Sequence, residues 1–240
     1  MILIVTTIAV PFLGTAIGAL TSLFSKKEIA KSKLLIGFAA GVMIAASIWS
    51  LLLPSLEIAA MRGDIEFVPA AIGFIFGIGL LILLDAFALS AENKRSKMLA
   101  IAVTVHNVPE GMAVGAAVAA ALFGAELSIA AALSLSIGVA LQNIPEGAIV
   151  SLPLMSDKKS KLRAFGIGVL SGAVEPISAL LTVMLYVATS AILPYMLSLA
   201  AGAMFYVAIK ELAPEIKSGN KGMIGFTLGF IIMMIMDVCL

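Results

Sequence analysis

His106-Asn107-Val108-Pro109-Glu110-Gly111 lies near the middle of the apolar run 98–122, MLAIAVTVHNVPEGMAVGAAVAAAL. A near-copy, Gln142-Asn143-Ile144-Pro145-Glu146-Gly147, lies near the middle of the next apolar run, 127–152. Each run exceeds the ~20 residues that a helix needs to cross a bilayer. A carboxylate at the centre of such a span is costly, and it usually marks a substrate or ion path. Here two carboxylates come with one imidazole and three side-chain amides. That donor set reads as a cation site at mid-membrane, with a divalent metal the best fit.

The rest of the chain supports a membrane setting. Its 240 residues are 62% hydrophobic and 12% charged, with mean hydropathy +1.16. A soluble domain of this length could not bury so much apolar surface, so the class is polytopic membrane protein. Polar clusters divide the chain into eight apolar segments, about 3–23, 34–56, 67–90, 98–122, 127–152, 164–187, 192–212 and 222–240. Backbone groups in lipid must be satisfied internally, and the runs are too long for barrel strands. The expected fold is therefore all-α: one transmembrane domain of eight helices over residues 1–240. The first run lacks a basic leader and reads as a span, not a cleaved signal. Cys239 alone allows no disulfide within the chain.

Charge sets the expected orientation. Fourteen of the fifteen Lys and Arg residues fall in the 1–2, 3–4, 5–6 and 7–8 connections, with Arg62 alone on the other side. The positive-inside rule puts those four connections in the cytoplasm and both termini outside. The two motif copies then enter from opposite faces on consecutive spans. That pattern fits a pseudo-two-fold arrangement with a site at the repeat interface; local convergence on a kinked helix is the plainer explanation.

Helical spacing brings the chemistry together. His106 and Glu110 share a helix face at i,i+4, as do Gln142 and Glu146. Asn107 and Asn143 flank the same cavity, about 100° round. Pro109 and Pro145 free the carbonyls of Val105 and Leu141 and are expected to kink each helix, and Gly111 and Gly147 permit close helix approach. Glu175, followed by Pro176, adds a third carboxylate at similar depth. It reads as a metal ligand, a proton-relay group or a packing acid. Three carboxylates at one depth would repel unless one or two divalent cations joined them. Glu110 and Glu146 could bridge two ions, with His106 and Gln142 on one side and Asn107, Asn143 and Glu175 on the other. Without thiolate, the set suits Zn²⁺, Fe²⁺, Mn²⁺, Co²⁺ or Cd²⁺, and argues against Cu(I).

Other residues have plainer alternatives. Met43 fits ordinary core packing or the ion pathway. Asp85 fits a membrane interface, and Glu211 and Glu215 fit either cation exit or a solvated loop face. Glu57 and Asp237 fit an external boundary or an ion entrance.

The pair HNVPEG and QNIPEG, with Ser171-Gly172-Ala173-Val174-Glu175-Pro176 on the following span, closely resembles the ZIP (Zrt/Irt-like protein) divalent-metal transporters, particularly compact prokaryotic members. The resemblance covers the whole chain. It implies that His106, Asn107 and Glu110 are fourth-span metal ligands, and that Gln142, Asn143 and Glu146 are fifth-span ligands. Glu175 falls on the sixth-span ligand of a second metal position, and Met43 near the pathway. Glu57 and Asp237 resemble external entrance carboxylates, and Lys210-Glu211 stands where many relatives carry His-Glu at the exit. Two departures concern the site itself. Gln142 stands where many relatives have His, and Asn143 where many have Asp, which lowers the negative charge at the second position.

The expected function is transport of a divalent transition metal, zinc first, toward the cytoplasm across the cell (inner or plasma) membrane. The inward direction is what the resemblance implies. No phosphate-binding GxxxxGK[ST] loop indicates ATP coupling, and no HExxH supports an intramembrane metalloenzyme. A channel-like conductor, a metal sensor or a proton-only pathway with the same residues is the alternative to a carrier. The metal is cargo, and no resident cofactor is implied. The expected partners are the ions and the lipid bilayer, with no nucleic acid; a homodimer is compatible with the sequence.

Overall fold

The computed structural model describes residues 2–25, 32–87, 94–123, 128–156, 160–216 and 220–239. Among them there is no strand. We number eight helices: α1 Ile2–Phe24, α2 Lys33–Met61, α3 Phe67–Phe87, α4 Lys94–Leu122, α5 Ile129–Ser156, α6 Lys161–Met184, α7 186–216 and α8 Asn220–Cys239. Seven meet the length and apolar composition for a membrane crossing. The exception, α4, is long enough at 29 residues, but Lys94, Arg95 and Lys97 at its start and His106, Asn107 and Glu110 within it dilute its apolarity. The chain is a multi-pass membrane protein, and its surface agrees. Ile17, Phe76 and Leu170 are at least half exposed, as side chains facing lipid should be.

The expected spans and the helices agree to within a few residues at most ends. The second helix runs on to Met61, five residues past the apolar run, because nothing between Leu56 and Met61 breaks helical geometry. Residues 88–90 of the third expected span lie outside the described ones.

Three helices depart from regular α geometry. In α2 a π-helical turn spans Ser47–Leu52, and in α7 another spans Ala208–Leu212. Such turns often occur at functional sites. In α6 the helix is interrupted at Ala173, between Lys161–Gly172 and Val174–Met184. Pro176 has no N–H to offer the Gly172 carbonyl, so the ladder cannot close there. By contrast, the helices α4 and α5 run through Pro109 and Pro145 without interruption. In α1, Pro11 leaves the Thr7 carbonyl without its helical donor, and Ser136 Oγ of α5 donates to it at 2.5 Å.

The main helix pairs fall into two groups, which meet along α4 and α7. Helix α1 packs on α5 and α4 on α6, with α1–α6 and α4–α5 contacts completing the first group. In the second, α2 packs on α8, α3 on α7, and α2 touches α7. Exchanging α1 with α6, α2 with α7, α3 with α8 and α4 with α5 maps these four main pairs onto one another. The same exchange carries one π-turn helix onto the other. The largest apolar core lies where the groups meet: Met112 of α4 and Ile149 of α5 join Met43, Leu81, Met204 and Met233.

Candidate metal centre

The motif glycines set how deeply the site is enclosed. A methyl group on Gly111 would lie 2.3 Å from the Glu175 carbonyl oxygen, and one on Gly147 2.1 Å from that of Thr15. Only glycine lets α4 seat on α6, and α5 on α1, at that separation. The side chains one turn away are consequently shut off from solvent.

Within this space α4 and α5 bring three candidate ligands of two types together. His106 Nε2 lies 3.0 Å from Glu110 Oε1 on its own helix face and 3.2 Å from Glu146 Oε1 across the helix pair. One ligand atom from each residue lies within 4.8 Å of the other two. His106 is fully buried, Glu110 3% exposed and Glu146 1%. The i,i+4 expectation for His106 and Glu110 holds, and Glu146 joins them from the second motif copy.

The amides are arranged less symmetrically. Asn107 Nδ2 donates to the Ser171 carbonyl at 2.9 Å, beside the break in α6. Asn143 Nδ2 donates to Glu175 Oε2 at 2.8 Å and to the Pro11 carbonyl at 3.3 Å. Thr15 Oγ1 donates to the other Glu175 oxygen at 2.8 Å. Gln142 sits one turn before Glu146, and its amide is engaged elsewhere. It donates to Ser50 Oγ and, at 2.7 Å, to Asp237 Oδ1, which also accepts from Ser50 at 2.6 Å. Asp237 thus belongs to a polar triad beside the buried cluster. Thr15, Ser50 and Ser171 are the participants that the sequence reading did not single out. Hydroxyls and carbonyls on apolar helices carry no motif, so only the fold could find them.

The remaining candidates lie apart. Met43 is fully buried in the main apolar core, and Glu57 is exposed on the later turns of α2. Glu211 lies on the π-turn of α7, while its side chain, with that of Glu215, falls outside those described. Lys210, on the same turn, pairs with Asp85 of α3 at 2.5 Å and lies over the Tyr206 ring at 4.9 Å. The interfacial carboxylate of the sequence reading is therefore joined to a cation.

The centre has a surplus of acceptors. Glu110 Oε2, Glu146 Oε2, Asn107 Oδ1 and Asn143 Oδ1 are buried oxygens without a hydrogen-bond donor. A buried acceptor without a partner loses its solvation uncompensated, at about 1–3 kcal/mol each and more for a charged group. The two glutamates stand with their oxygens around one imidazole, an arrangement that suits a cation. Carboxylate, imidazole and amide oxygen are the donors that a borderline divalent ion takes.

A helical multi-pass protein with such a centre falls in the class of integral membrane proteins that handle metal ions. Comparison with known proteins narrows the class. The family model described as ZIP Zinc transporter matches residues 85–237. The chain is 32% identical to Zinc transporter ZIP11 of Xenopus tropicalis, over 93% of each chain. It is 33% identical to Zinc transporter ZIPB of Bordetella bronchiseptica, over 97% of this chain and 79% of the relative. It is 29% identical to Zinc transporter ZupT of Stenotrophomonas maltophilia, over 88% and 84%. The chain belongs to the ZIP family, as the motifs indicated.

Proposed function

We propose that the protein carries divalent transition-metal ions, zinc foremost, through the cell membrane toward the cytoplasm, with both termini outside. The cargo binds between α4 and α5 on His106, Glu110 and Glu146. Asn107 and Asn143 carry buried oxygens without a donor, while Gln142 and Glu175 are engaged by other partners. The observation that carries this reading is the set of buried acceptor oxygens without donors around one imidazole. Iron, manganese, cobalt and cadmium suit the same donors, and availability enters into which of them is carried.

The division into two helix groups supports alternating access by rigid-body movement. His106, Glu110, Glu146, Asn107, Asn143 and Glu175 all stand on α4, α5 and α6, within one group. The other group, α2, α3, α7 and α8, supplies Met43, Ser50 and Asp237. A shift of the first group against the second carries the site intact while its surroundings change. Protonation of Glu110 or Glu146 removes a ligand charge and favours release, because carboxylates bind metal in the deprotonated form.

The test is uptake into proteoliposomes loaded with a zinc-sensitive dye. Saturable, protein-dependent uptake that is lost in both His106→Ala and Glu110→Ala supports the carrier. Zinc binding without uptake would indicate a sensor, and flux at channel rates a pore. Folded protein that neither binds nor moves Zn²⁺, Fe²⁺, Mn²⁺ or Cd²⁺ overturns the reading.

A further inference from the structure

We infer that this centre holds one ion per chain, because Thr15 and Asn143 tie up Glu175 as a hydrogen-bonded brace and keep it from completing a second metal position. The inference rests on the metal reading above and sets its stoichiometry. Glu175 is 1% exposed, and each of its oxygens accepts one hydrogen bond at 2.8 Å, from Thr15 and from Asn143. The orientation of the Asn143 amide is fixed by its second contact. The Pro11 carbonyl, 3.3 Å away, can only accept, and so can the Glu175 carboxylate; the group facing both must be a donor. The amide nitrogen therefore stands between α5 and α6, where an ion bridging to Glu175 would sit. An amide N–H donor is not a metal ligand.

Charge leads to the same count. Glu110 and Glu146 together neutralise one divalent ion beside a neutral imidazole. With one ion, the third carboxylate, Glu175, keeps its charge on two hydrogen-bond donors, Thr15 and Asn143. A second ion at Glu175 would displace those donors and leave one positive charge unbalanced in an enclosed, weakly polar space, where an unpaired charge is costly. A carboxylate at position 143 reverses both arguments. It would set three acceptors, Pro11 carbonyl, Glu175 and itself, around one point, and four carboxylates would balance two divalent ions. Asn143 is thus the residue that sets the stoichiometry, and Thr15 a positioning residue acting through Glu175.

The experiment counts ions bound to the full-length protein in detergent after equilibrium dialysis against Zn²⁺ or Cd²⁺. The Glu110→Ala, Glu146→Ala double variant gives the background. The expected result is one ion per wild-type chain above background, with a single ¹¹³Cd resonance, and two ions with two resonances in Asn143→Asp. Two ions per wild-type chain overturn the inference, whether or not Asn143→Asp folds. A folded Asn143→Asp that still binds one also overturns it. No ion above background in wild type overturns the metal reading itself, and this inference with it.

Discussion

His106 turns a single imidazole nitrogen toward two carboxylates from different helices, 3.0 and 3.2 Å away. That convergence makes it the hinge of the centre's chemistry. Loss of an outer partner of a metal ligand typically costs about 10–100-fold in affinity, so loss of the imidazole itself should cost at least about 100-fold. Competition titration of His106→Ala with a zinc indicator checks this; affinity within a few-fold of wild type would remove His106 from the ligand set. At this scale the sequence was informative about identity and poor about direction. It named His106, Glu110 and Glu146, since histidine and glutamate four apart on an apolar helix have few other uses. It could not say that the Gln142 amide would face Ser50 and Asp237, because an amide offers a donor and an acceptor and its partner decides which is used.

Among the elements, the pairs α1–α5 and α4–α6 depend on the motif glycines. A methyl group at Gly147 meets the backbone of α1, which cannot yield as a flexible side chain can. Gly147→Ala should destabilise the protein by about 1–3 kcal/mol, the usual range for overpacking. Thermal unfolding in detergent, with and without Zn²⁺, measures the loss. Gly166→Ala is the matched control, because open space surrounds that position. An equal melting temperature for Gly147→Ala and the control would contradict the close approach. Helix positions were readable from bilayer-length apolar runs, but the break in α6 was not, since prolines that leave α4 and α5 unbroken give no local sign of which one interrupts its helix. The π-turns were not readable. A π-turn arises where a helix accommodates an extra residue against its neighbours, and neither SIWSLL nor AIKEL carries a local signature for it.

For the whole molecule, the decisive feature is that Ser50, Gln142 and Asp237, among the described residues, form a polar contact between the two helix groups. Gln142 stands on α5 in the group that holds the ion site; Ser50 and Asp237 stand on α2 and α8 in the other. If the groups shift during transport, these hydrogen bonds must open. A Ser50→Cys, Gln142→Cys pair, with Cys239→Ser to remove the native thiol, should lose zinc uptake when joined by a short thiol-specific cross-linker. Uptake should return to its pre-treatment level once a cleavable linker is reduced. Undiminished uptake in fully cross-linked protein would mean that the groups do not move apart there. A companion measurement concerns the contacts themselves. Asp237→Ala removes the acceptor shared by Ser50 and Gln142 and should cost about 0.5–1.5 kcal/mol for each bond lost, read as a lower melting temperature.

By itself the sequence determined the class of protein, the apolar helices, the charge asymmetry between their connections and the residues of the buried His106, Glu110 and Glu146 cluster. These are local properties: a bilayer's thickness fixes run length, and the 3.6-residue period fixes which side chains share a face. Only the tertiary structure decided which polar groups meet. Thr15 reaches Glu175 across 160 residues of chain, and Lys210 reaches Asp85 across 125. No periodicity relates positions so distant. Their pairing follows from how the helices pack, and with it the roles of Asn143 as donor, Glu175 as brace and Gln142 as a link between the two helix groups.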